Sequence, residues 1–107
     1  MRVLLANEPR SYREVIAEAV RRLRPDVEAI TVEQDELDDA IRRFAPDVVI
    51  CSKVTATVTG SAPIWVDLYP GYGARSIVSV DGRREEFAEI QLTDLLSVVD
   101  RAEGPAR

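Results

Sequence analysis

The chain of 107 residues has no histidine, one cysteine and one lysine, and aromatic side chains make up only 6% of it. Without histidine there is no imidazole base, no Ser-His or Cys-His pair and no usual zinc ligand set, so most hydrolase and metalloenzyme chemistry is excluded. Cys51 alone closes no intramolecular disulfide, and a reducing cytoplasm is the expected compartment. The opening apolar run is far shorter than the roughly 7 to 15 residues of a signal-peptide core. No stretch approaches the roughly 18 apolar residues of a membrane span, so no membrane association is expected.

What is present is a foldable mixture, 46% hydrophobic and 31% charged, with a net charge of −5. A chain of this size buries about two-thirds of the surface its unfolded form exposes, enough for one core without staples. A single domain over 1–102 with a frayed tail at 103–107 is expected. An acidic balance argues against a general nucleic-acid binder, which needs a basic field or face. The arginines Arg13, Arg21, Arg22 and Arg24 are the weak exception, and a solvated helix surface accounts for them without a ligand.

Hydrophobic spacing orders the first half. Val3 to Ala6 is a continuous apolar run and predicts a buried strand. Ser11 and Glu14 have the spacing of a capping box, and Tyr12, Val15, Ile16, Ala19, Val20 and Leu23 then predict one apolar helix face, ending before Pro25. Val27 to Val32 predicts a second strand near a sheet edge. Leu37, Ala40, Ile41 and Phe44 predict a second helix, with acids at its start and Arg42 and Arg43 at its end, as the helix dipole favours. The acids between Asp26 and Asp39 are thereby explained without a cation. Val48 to Cys51 predicts a third strand, covered on both faces.

The second half changes rhythm. A short helix or loop fits around Val54 to Val58, then strands over Ile64 to Leu68 and Ser76 to Val80. The link Tyr69 to Arg75 is too short for a parallel crossover, which takes about a dozen residues, so these two strands are expected to be antiparallel neighbours or one lies outside the main sheet. Asp81-Gly82 signals a hairpin turn leading to a strand over Arg84 to Phe87. Thr93 is placed to cap a last helix with Leu92, Leu95, Leu96 and Val99 on one face. Gly71-Tyr72-Gly73 opens no helix and reads as a turn. Cys51 reads as a small buried residue. Asp67 either faces solvent, the favoured reading, or lies at the sheet edge near Lys53. Trp65, Tyr69 and Tyr72 cluster as a candidate partner surface, with core packing of Trp65 equally open.

The run Arg2-Val3-Leu4-Leu5-Ala6-Asn7-Glu8-Pro9 and the run Pro46-Asp47-Val48-Val49-Ile50-Cys51-Ser52, with helix, strand and helix between them, resemble the receiver domain of bacterial response regulators over residues 1–55. The resemblance implies an α/β, flavodoxin-like three-layer sandwich with parallel strands 1–3 and an abbreviated, partly antiparallel C-terminal part. It also implies a phosphoryl site of an acidic pair after the first strand, an acceptor Asp after the third, a Ser or Thr after the fourth and a Lys after the fifth. Here the acidic pair is represented by Asn7 and Glu8, the acceptor position falls on Ser52 beside Lys53, and no Lys follows Lys53. A hydroxyl forms no acyl phosphate, and one carboxylate is thin ligation for Mg²⁺. The expected function is therefore a non-catalytic receiver-like domain without metal or cofactor, acting on a protein partner or as a homodimer. The alternative is a small-ligand sensor or enzyme using a cleft where Asn7, Glu8, Ser52 and Lys53 meet at the carboxyl edge of the sheet.

Overall fold

The first four strands are short, mostly apolar runs bounded by polar loops. In the computed structural model, which describes residues 1–68 and 75–103, they are β1 (Arg2–Leu5), β2 (Glu28–Thr31), β3 (Val48–Cys51) and β4 (Ile64–Asp67). The chain continues into β5 (Ser76–Val80) and β6 (Arg83–Phe87). The helices are α1 (Arg10–Leu23), α2 (Leu37–Phe44, preceded by a 3-10 turn at Gln34–Glu36), α3 (Ala56–Ser61) and α4 (Leu92–Ala102). One mixed sheet results, in the order β2-β1-β3-β4-β5-β6. The pairs β1–β2, β1–β3 and β3–β4 are parallel, and β4–β5 and β5–β6 are antiparallel.

Alternation along the strands divides the core in two. Val3, Leu5, Val48, Ile50, Val66 and Val78 face α1 and α4, with Ile16, Val20, Leu95 and Val99 packed on them. Leu4, Val49, Cys51 and Trp65 face α2 and α3, with Leu37, Ile41 and Val58. All four residues of β3 are buried, as its unbroken apolar run predicts for a strand covered on both faces. Arg24 forks onto Asp100 at 2.7 and 2.9 Å and ties the end of α1 to α4; this hydrogen bond holds the Asp100 carboxyl below its usual range.

Several local expectations are corrected. Ser11 does not cap α1: the cap is Pro9, in extended geometry at φ −75°, and its carbonyl accepts from Tyr12 and Arg13. Thr93 does not cap α4 either; Gln91 does, in a box with Asp94. The buried face of α1 runs through Arg13, Ile16, Ala17 and Val20, while Val15 and Leu23 are 62% and 53% exposed. The helix is rotated so that small Ala17, rather than Val15, meets the sheet. The short helix after β3 begins later than expected, because Thr55 accepts from the Val58 N–H and sets its start. Asp67, expected to face solvent, is only partly exposed: its Oδ1 is buried without a hydrogen-bond partner among the described residues.

The hairpin is as expected. Asp81 and Gly82 have φ of 51° and 86°, the double left-handed geometry of the turn that matches strand twist, and β6 pairs back on β5 from Arg83 to Phe87. Tyr69, Tyr72 and the Gly71-Tyr72-Gly73 turn lie outside the described residues.

Candidate functional site

The carboxyl ends of β1 and β3 are neighbours because both strands pair in parallel register, Leu5 beside Ile50. The loops that leave them, Asn7-Glu8-Pro9 and Ser52-Lys53, are therefore brought side by side. Contact between them runs through Ser52. Its Oγ accepts the backbone N–H of Glu8 at 2.9 Å and donates to the carbonyl of Leu68 at 3.3 Å. Gln34 adds a bracket, accepting the Ser52 N–H on its Oε1 at 3.2 Å and donating from Nε2 to the Lys53 carbonyl at 3.0 Å. Four chain segments are thus held by one hydroxyl and one amide.

The four candidate cleft residues separate into different roles. Glu8 and Lys53 line one cleft of about 500 Å³ together with Glu33, Gln34, Asp35, Asp38 and Thr55. No ion pair joins Glu8 to Lys53 among the described residues, and the Lys53 ammonium has no partner there. Asn7 does not line this cleft. It is fully buried, and its amide oxygen and nitrogen have no hydrogen-bond partner among the described residues. Ser52 is half-buried and structural.

Arg13, expected with the other arginines on a solvated helix surface, is instead buried, because α1 turns it toward the sheet. Its side chain is 2% exposed and reaches Glu33 at 2.7 Å, where β2 has ended beside β1. Its Nε and Nη1 are buried and unpartnered among the described residues. The available signal was its place three residues before Ile16 and four before Ala17, on the buried side of α1. Gln34 was hidden inside a run of acids that a helix start explains. The remaining arginines of the basic group are engaged locally: Arg21 donates to the Ala29 carbonyl, Arg22 pairs with Glu18, and Arg24 pairs with Asp100.

The chemistry available here is limited. The Ser52 hydroxyl accepts one hydrogen bond and spends its proton on another, and among the described residues no side-chain base touches it. Among the described residues no group of three or more Asp, Glu, Cys or His is placed to hold a metal ion. Burial pushes the Cys51 thiol up to about 12, with the Asp67 carboxylate adding to the shift, so Cys51 is a packed thiol and not a nucleophile. Burial also raises the carboxyl of Asp67. Trp65, a candidate for the partner surface, is 6% exposed and carries the Arg84 guanidinium 5.4 Å from its ring centre; it belongs to the core and offers little area to a partner. Among the described residues no helix is long and apolar enough to cross a membrane. Compared with protein-family models, with curated proteins and with solved structures, the chain has no match.

Proposed function

We propose that this protein is a receiver-like domain of flavodoxin type that has lost phosphoryl chemistry and works through protein–protein contact. The observation that carries the reading is the Ser52 tie. At the end of β3, where a receiver holds its acceptor carboxylate, this chain has a hydroxyl that bonds to Glu8 and Leu68 and closes the loops on one another. The strand order β2-β1-β3-β4-β5, with α1 and α4 on one face and α2 and α3 on the other, supports the receiver-like half of the reading. The antiparallel β5 and the added β6 depart from it and replace the element that would bring a lysine to the site. The test is incubation with a small phosphodonor and Mg²⁺ followed by intact mass, with no stable phosphate gain expected.

A second reading, a small-ligand sensor, draws on Lys53, which lines the carboxyl-edge cleft with Glu8 and has no ion-pair partner among the described residues. A compound that raises the melting temperature of the native chain but not of Lys53→Ala supports that reading. A compound that stabilises both equally counts against the cleft.

A further inference from the structure

Strand β6 ends the sheet, and its residues Arg83 to Glu86 are exposed. Which of them present free backbone groups follows from the ladder. The Asp81 N–H donates to the Pro63 carbonyl, so β5 turns residues 81, 79 and 77 toward β4 and residues 80, 78 and 76 toward β6. Their partners in β6 are Arg83, Glu85 and Phe87. Arg84 and Glu86 therefore point N–H and C=O outward, away from the sheet.

We propose that β6 pairs antiparallel with β6 of a second copy of this chain, forming a homodimer with one continuous sheet. The proposal names the partner within the protein-contact reading above and rests on that reading only for the class of partner. Continuing a sheet across its edge places the two-fold axis perpendicular to the sheet, and residues that meet across it then lie on the same face. Only a few registers satisfy this. Centring on Arg84 sets arginine against arginine, and centring on Glu86 sets glutamate against glutamate, each at an outward-bonding position where like charges oppose pairing.

Centring on Glu85 moves the one like-charged contact to Glu85 itself, the position where Arg101 stands beside the carboxylate. It pairs every residue of β6 and sets Arg84 against Glu86 of the partner subunit, twice over, at the positions whose backbone groups point outward. Arg83 then lies beside Phe87 of the partner subunit, where a guanidinium packs on an aromatic face. Glu85 meets its own copy, but on each side Arg101 of α4 stands 3.9 Å from the Glu85 carboxylate and offsets the like charge. Charges on an edge strand ordinarily repel other strands. In Arg83-Arg84-Glu85-Glu86 they are arranged to accept a copy of themselves. A single strand pair is a small interface, so the dimer is expected to dissociate on dilution.

The test is light scattering and sedimentation of the full chain over a concentration series. The native chain is expected to pass from monomer to dimer, and Arg84→Glu and Glu86→Arg are each expected to weaken the dimer by about tenfold or more, since each reversal replaces two attractive pairs by two repulsive ones. An equimolar mixture of the two variants restores opposite charges in the heterodimer and is expected to recover association. Glu86→Pro removes the outward N–H, which an edge strand tolerates, together with the Glu86 carboxylate that stands 4.0 Å from Arg75, and is expected to give a folded monomer by circular dichroism. A native chain that stays monomeric at every concentration, a dimer indifferent to both reversals, or a mixture that fails to associate overturns the proposal. Dimer mass and phosphate mass are separate readouts, so failure here leaves the Ser52 reading intact, and phosphorylation leaves the edge pairing intact.

Discussion

The Ser52 hydroxyl accepts the backbone N–H of Glu8 at 2.9 Å across 44 positions of sequence, joining the loop after β1 to the end of β3. The O–H of the same side chain donates to the Leu68 carbonyl, just past the end of β4. A residue type that cannot carry an acyl phosphate is thus used to fasten three strand ends.

Removing that fastening has a direct consequence. Ser52→Ala leaves the Glu8 N–H and the Leu68 carbonyl to find water, a loss of about 1 kcal/mol for a hydrogen bond of this kind. The expected fall in melting temperature is roughly 4–8 °C for a domain of this size, read by thermal denaturation. An unchanged melting temperature would show that the tie carries no stability.

Arg13 offers a test of what a buried guanidinium does when most of its nitrogens lack partners. Its stem packs on the sheet while only Nη2 reaches Glu33, and Glu33 is itself 54% exposed and can return to water. Arg13→Met nearly keeps the volume and deletes two buried, unpartnered nitrogens, so stability is expected to stay within about 1 kcal/mol of the native chain. Arg13→Ala opens a cavity and is expected to cost about 2–4 kcal/mol. Urea denaturation of the pair decides between packing and charge: equal losses in both variants would assign the role to charge.

Asp67 makes stability depend on pH. Burial raises its carboxyl above the ordinary 3.8. At low pH it is neutral in both the folded and the unfolded chain and costs nothing; as pH rises past the ordinary value the unfolded chain releases its proton first, and the loss of stability is complete once pH passes the raised folded value. Asp67→Asn is therefore expected to raise the melting temperature by a few degrees at pH 7, with the gain closing below about pH 4. A gain that is the same at both pH values would assign the effect to packing.

Much of this arrangement is legible in the residues. The link between Leu68 and Ser76 is too short for a parallel crossover, and Asp81-Gly82 specifies its turn, so local rules leave an antiparallel end or a strand outside the sheet, and β5 takes the first of these against β4. The meeting of Glu8 with Ser52 follows from two apolar strands of equal length, β1 and β3, pairing in parallel. The helix caps do not follow, because Ser11 and Thr93 have the right side chains but the backbone turns earlier, at Pro9 and Gln91. Arg13 was hidden by its charge: burial of a guanidinium depends on how α1 rotates over the sheet, and that rotation is decided by packing between distant segments. Gln34 was hidden because its two hydrogen bonds go to backbone atoms some 18 and 19 positions away.

The account rests on a β3 end that holds loops and does not accept phosphate. Its most direct test is intact mass spectrometry of the native chain and of Ser52→Asp after treatment with a small phosphodonor and Mg²⁺. Neither is expected to gain a phosphoryl group, the variant included, because on the receiver-like reading proposed above Asn7 stands in the place of one acid of the pair, and the chain has no lysine after Lys53. A stable, Mg²⁺-dependent gain of one phosphoryl group on the native chain would contradict the account.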